Sequence, residues 1–233
     1  MKKILFTLVM VAALCLCGIA STSAGEEERF RFHFRTISFP DDTFTQLLGI
    51  NDYEKIVGYH GAKFNKGFDF TFPNYFAPEN FPGSTQTQVI GINKRGYTDG
   101  FYIDTAGTNR GFLDIDGTFT TVDFPDTKLN QLLGLNNFEQ AAGYYADAAG
   151  IDHPYIYDYK GGVFCAITIP AATGGAQATG INDKGSISGF YIDSKGTNHG
   201  FLIAKGEFRT LDFPESTFTQ ALQSRRSRRG LRG

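Results

Sequence analysis

The chain has 233 residues, 41% of them hydrophobic, and its 28 Gly, 23 Phe and 11 Tyr without a Trp suit turns and aromatic-rich strands. Its formal net charge of −2 hides an uneven distribution, because residues 25–222 hold 15 basic and 24 acidic side chains, a net of −9. That balance excludes a basic nucleic-acid-binding surface over the body of the chain.

The first residues, MKKILFTLVMVAALCLCGIASTSAGEEE, set Lys2 and Lys3 before an apolar run from Ile4 to Ala20, then small residues to Ala24 and an acidic stretch. This is the pattern of a secretory signal peptide, with a helical apolar core and cleavage after Ala24, and the apolar run is short for a membrane anchor. The mature protein is expected to be secreted, extracellular or periplasmic, with no membrane attachment. Removal of residues 1–24 takes Cys15 and Cys17 with it, leaving Cys165 without an intrachain disulfide partner. Its setting, GGVFCAITIP, predicts a buried strand thiol rather than a nucleophile.

From there the chain repeats. A Gly, Ile or Leu, Asn triplet recurs at Gly49, Gly91, Gly134 and Gly180, spaced 42, 43 and 46 residues apart. Nine residues after each comes a second glycine, Gly58, Gly100, Gly143 and Gly189, followed by Tyr59, Phe101, Tyr144 and Phe190. KGF at 66, RGF at 110, HPY at 153 and HGF at 199 form a third element. The fourth is a Phe-initiated run ending in Pro: FRTISFP, FTTVDFP, FCAITIP and FRTLDFP, with ENFP closing the less regular first copy.

Each copy thus offers four short β-prone stretches separated by turn signals, which is the content of one propeller blade. The predicted fold class is all-β: a β-propeller of four full four-stranded blades over residues 25–222, plus an incomplete fifth position. That position is framed by an orphan fourth strand at Phe30–Pro40 and an orphan first strand in TFTQAL. Phe112, Tyr155 and Phe201 are expected to be buried between blades, and the glycine columns to mark close backbone approach. The final residues 223–233 contain five Arg and no acid, and are expected to be disordered. Since the repeat stops in mid-strand there, the tail is read as an out-of-frame remnant of a fifth blade rather than a basic arm.

The Gly-Ile-Asn-Asp-x-Gly turn, the Gly-Phe-Tyr strand, the His-Gly-Phe triplet and FRTLDFP together resemble the bacterial extracellular repeats of the HAF family. The resemblance covers residues 30–222 and is strongest in the second and fourth copies. It implies export and a repeat fold, and it transfers no activity.

In a repeat, a residue present in every copy serves the scaffold, and one present once is a candidate for chemistry. Asp52, Lys94, Asn137 and Asp183 share a column that suits tight turns. Asp104, Asp147 and Asp193 open Asp-x-x-Gly turns, and Asp114-Ile115-Asp116-Gly117 lacks the further ligands of a calcium loop, so no metal and no cofactor are expected. The column Lys66, Arg110, His153 and His199 would place a partial ring of donors on one propeller face, suited to anionic or hydroxyl-rich ligands. The alternative is that each covers its own turn. The singletons are His60, Asp99, Asp152 and the aromatic insert Phe70, Phe72, Tyr75, Phe76 and Phe81. Asp99, standing where the other copies have Val57, Ala142 and Ser188, is the catalytic candidate of an enzyme reading, paired with Asp52 or Asp183.

Three functions follow. The leading one is a secreted, non-catalytic protein that binds a glycan or an extracellular protein through its face loops. The others are a carbohydrate-active enzyme on the same scaffold and a structural or adhesive envelope protein.

Overall fold

The computed structural model describes residues 34–222, so the expected signal peptide with its helix and the Arg-rich tail lie outside the described residues. The chain divides into two units, Met1–Thr36 and Ile37–Gly233, and the sixteen described strands all lie in the second. No described residue is helical.

The strands form four consecutive antiparallel meanders. Module 1 comprises β1(Thr45–Ile50), β2(Ile56–His60), β3(Lys66–Thr71) and β4(Tyr75–Pro78). Module 2 comprises β5(Gln86–Ile92), β6(Thr98–Ile103), β7(Asn109–Ile115) and β8(Thr118–Val122). Module 3 comprises β9(Leu129–Leu135), β10(Gln140–Ala146), β11(Asp152–Asp158) and β12(Val163–Ala166). Module 4 comprises β13(Ala176–Ile181), β14(Ile187–Ile192), β15(Asn198–Ala204) and β16(Glu207–Leu211). Modules 2 and 3 are tied by one parallel bridge, Asn109 to Leu129, which places the first strand of a module beside the third strand of its predecessor. The same bridge recurs from Asn198 to Phe218, so residues 217–222 take the first-strand place beyond module 4. Of the expected strand at Phe30–Pro40, the described residues 34–40 join no ladder among the described strands.

Both glycine columns have a steric origin. A methyl group on Gly58, Gly100, Gly143 or Gly189 would fall 2.0–2.3 Å from the carbonyl oxygen of Gln46, Gln88, Gln131 or Gln177. Each of these hairpins carries a bulge at that level, which turns the carbonyl toward the glycine. The first column packs module on module: a methyl on Gly91 would lie 3.2 Å from Gly134 Cα, and one on Gly134 would lie 3.0 Å from Gly180 Cα. Only bare backbone fits there.

The Asn of each triplet has a local role, and those of modules 1 to 3 have a second. Its Oδ1 accepts the amides two and four residues on, as Asn93 does from Arg95 and Tyr97, and so builds the hairpin turn. Its Nδ2 reaches the next module: Asn51 donates to the Asn93 carbonyl, Asn93 to the Asn136 carbonyl and Asn136 to the Asn182 carbonyl, at 3.2–3.3 Å. The ladder satisfies carbonyls that module stacking hides from water.

Between modules lies an aromatic core in which Phe68, Phe112, Tyr155 and Phe201 are fully buried, as expected of the last three. The Phe of three Phe-Pro pairs stacks on the second strand of the following module: Phe39 on His60 at 3.5 Å, Phe81 on Tyr102 at 3.7 Å and Phe124 on Tyr145 at 3.9 Å. Of the aromatic insert, Phe70, Phe72 and Phe76 join this core while Tyr75 is exposed. Cys165 corrects the sequence reading, since it is exposed. On β12 the side chains alternate, Phe164 turns to the core, and Cys165 therefore faces outward.

Candidate functional site

Lys66, Arg110, His153 and His199 each stand at the beginning of a module's third strand, close to the turn that precedes it. Lys66 donates to the Thr85 carbonyl at 3.4 Å. Arg110 donates through Nε to Asp104 at 2.8 Å and through its other arm to Asp123. His153 Nε2 pairs with Asp147 Oδ2 at 2.9 Å. His199 lies between two carboxylates, 2.8 Å from Asp212 and 3.4 Å from Asp193.

Asp104, Asp147 and Asp193 have a double role. One carboxylate oxygen caps the turn by accepting two backbone amides, and the other holds the Arg or His. These bonds hold all three carboxyls below the ordinary range: the Arg110 and His153 side chains are the main cause for Asp104 and Asp147, and the Thr197 amide for Asp193. Asp212 in turn raises His199. Asp123 moves the other way, because its burial outweighs the Arg110 contact. Tyr145 and Tyr191 stack on His153 and His199 with ring centroids 5.0 Å apart.

Arg110, His153 and His199 are thus not free cations, whereas Lys66 meets only a backbone carbonyl. Arg110 and His199 each face two carboxylates, so these sites carry no net positive charge to attract an anion. What they present, partly open to solvent, is a donor and an acceptor side by side, and at His153 and His199 the couple also lies against a tyrosine ring. Adjacent hydroxyl groups need that combination.

Asp99 lies elsewhere. It is 0% exposed and wedged against Gly91, where a methyl would fall 2.2 Å from its Oδ1. Neither oxygen has a hydrogen bond of normal geometry, and burial pushes the carboxyl up to about 7 although the amides of Gly91 and Gly134 lie close enough to favour the charged form. Its sequence-proposed partners differ in setting: Asp52 is exposed, and Asp183 accepts the amide and side chain of Asn137 at the surface. Asp152 accepts from Gln177 at 2.6 Å across the junction of modules 3 and 4, and His60 pairs with Asp42 at 2.8 Å. Among the described residues no group of three His, Cys, Asp or Glu is placed to hold a metal ion.

One constellation was not singled out from the sequence. Ile37 packs with Ile56 and Phe70, Val122 with Ala141 and Tyr157, and Ile167 with Ile187 and Ile203. At the junction of modules 1 and 2 the corresponding residues are Glu79, Thr98 and Asp114. The Thr98 hydroxyl donates to Glu79, and burial raises both carboxyls, Glu79 to about 7. The Lys55–Asp69 pair, 2.9 Å apart, acts on the same group. Aligning ENFP backwards from Pro82 would have placed Glu79 in the Val122 column.

No protein-family model and no curated protein sequence matches the chain. Among solved structures it is similar to TolB from Acinetobacter baumannii, with a TM-score of 0.54 at 12% identity over 70% of this chain. The fold is all-β and propeller-like. The propeller-like chain spans 41% of the length of the TolB chain it matches. It also matches Aleuria aurantia lectin in complex with alpha-methyl-L-fucoside, with a TM-score of 0.43, 12% identity and coverage of 68% of this chain and 56% of that one. A polysaccharide lyase of the ulvan lyase family PL25 gives 0.39, 15% identity and coverage of 79% and 61%. At these identities the likenesses bear on the fold alone, and of the three TolB carries that argument.

Proposed function

We propose that this is an exported binding protein of the HAF repeat type, whose four modules are propeller blades in an incompletely closed ring. Its ligand is a neutral, hydroxyl-rich glycan, held on the face that carries Arg110, His153 and His199. The observation that supports this reading is the pairing of each of these donors with a turn aspartate. The pairing cancels their attraction for polyanions and leaves donor–acceptor couples, those of His153 and His199 beside stacked tyrosine rings. Aromatic faces take the apolar side of a sugar while such couples take its hydroxyls.

A glycan array probed with the protein lacking residues 1–24 tests the proposal. Neutral glycans are expected to bind, and Arg110→Ala, His153→Ala and His199→Ala each to weaken binding at least tenfold. Exclusive binding of anionic glycans, or binding that survives all three changes together, overturns it.

A further inference from the structure

The chain makes one kind of interface three times and carries both halves of it uncovered. At the leading side of modules 2, 3 and 4, Val89 and Ile92, Leu132 and Leu135, and Ala178 and Ile181 are all 9% exposed or less. The corresponding residues of module 1, Leu47 and Ile50, are 41% and 53% exposed. At the trailing side, Val122 is 2% exposed and its counterpart in module 4, Leu211, 41%. Phe213, the counterpart of the stacked Phe39, Phe81 and Phe124, is 75% exposed. Exposed apolar residues on two complementary surfaces are unlike the scattered ones of an ordinary monomer.

The sequence beside these surfaces indicates what fits them. Residues 43–48 read TFTQLL and residues 217–222 read TFTQAL. The second segment sits beyond module 4 as β1 sits in module 1: Thr219 donates to the Asn198 carbonyl at 3.1 Å, and Thr179 donates to the Ala221 carbonyl at 2.5 Å. The Phe39 amide is held by Thr45 Oγ1 and the Phe213 amide by Thr219 Oγ1 in the same way. The place after module 4 therefore accepts the sequence of β1, and residues 217–222 fill it with a near copy.

We propose that a second copy of this chain docks head-to-tail, with module 1 of one copy against module 4 of the other. The incoming β1 replaces residues 217–222 beside β15, like for like. Leu211 and Phe213 replace Ile37 and Phe39 of the incoming copy, so that Phe213 stacks on its His60. The exchange leaves the bonds of the displaced segments re-made by near-identical ones, and it adds the burial of Leu47, Ile50, Leu211 and Phe213. Because the two surfaces differ, the contact is heterologous and repeats until the assembly closes or a surface is blocked.

Two exposed positions give the test without threatening the fold: Ile50→Asp blocks the leading surface and Phe213→Asp the trailing one. Light scattering after size exclusion is expected to find the unaltered protein, lacking residues 1–24, as dimers or larger species. Each variant alone is expected to be monomeric with an unchanged thermal melt. An equimolar mixture of the two, which retains one intact leading and one intact trailing surface, is expected to form a species of two chains. A monomeric unaltered protein, a variant that still self-associates, or a mixture that stays monomeric overturns the proposal.

Discussion

Replacing Asp99 by Asn isolates the energetic consequence of burying a carboxyl that meets no cation. In the folded chain burial holds the Asp99 carboxyl at about 7, against 3.8 for the free group. A native value raised above the unfolded one gives stability that is complete below the unfolded value and is lost as pH rises through the folded value. Well below pH 3.8 both states are protonated and nothing is lost. From there to about pH 7 the unfolded chain ionises while the folded one does not, and the penalty climbs to roughly 4 kcal/mol.

At pH 5 the penalty is about 2 kcal/mol, and at pH 8 about 4 kcal/mol. The assay is urea unfolding of both proteins at the two pH values. The unaltered protein is expected to lose about 2–3 kcal/mol relative to Asp99→Asn on going from pH 5 to pH 8. Glu79, raised to about 7 in the same manner, titrates in both proteins and cancels in the comparison. Parallel pH profiles would refute the reasoning, because they would mean that Asp99 ionises in the folded chain as freely as in water.

Two further outcomes concern single residues. Asn93→Ala removes the Nδ2 bond to the Asn136 carbonyl and both amide bonds that close its turn, and is expected to cost about 2–4 kcal/mol in urea unfolding. A cost below 1 kcal/mol would mean that the ladder between modules contributes little. Cys165 is expected to react with a chromogenic thiol reagent in the folded protein at a rate close to that in denaturant, since it lies on the outer face of β12. Protection until unfolding would show that something covers that strand.

The repeat made the strands legible, because each strand and turn is written four times and a chance pattern in one copy is checked by the others. It also located the donor column, though not its chemistry. The partners of Arg110 and His199 lie six residues before them and 13 after, in a turn and in the end of a neighbouring strand. The preceding partners were visible as a recurring Asp at the same offset, while Asp123 and Asp212 come close only once the third and fourth strands pair. The Asn column was legible as turn chemistry, but the reach of each Nδ2 to the next module depends on stacking that no local pattern encodes.

Singletons are where the repeat is hardest to interpret. Asp99 stood out as an acid in the column of Val57, Ala142 and Ser188, and Glu79 stands in the column of Val122 and Ile167. Both columns face the next module, so the scaffold had already assigned these positions to the interior before the acids arrived. Neither acid meets a cation at its carboxylate; both are pushed toward neutrality instead, which is how an interior accommodates a carboxyl it cannot pair. Cys165 shows the converse. Its apolar neighbours suggested burial, yet on an outermost strand with Phe164 turned inward the alternate face has no sheet to meet. In a repeat fold, a polar residue in an apolar column is evidence about burial first, and it becomes evidence about catalysis only where the structure also leaves a way for substrate to reach it.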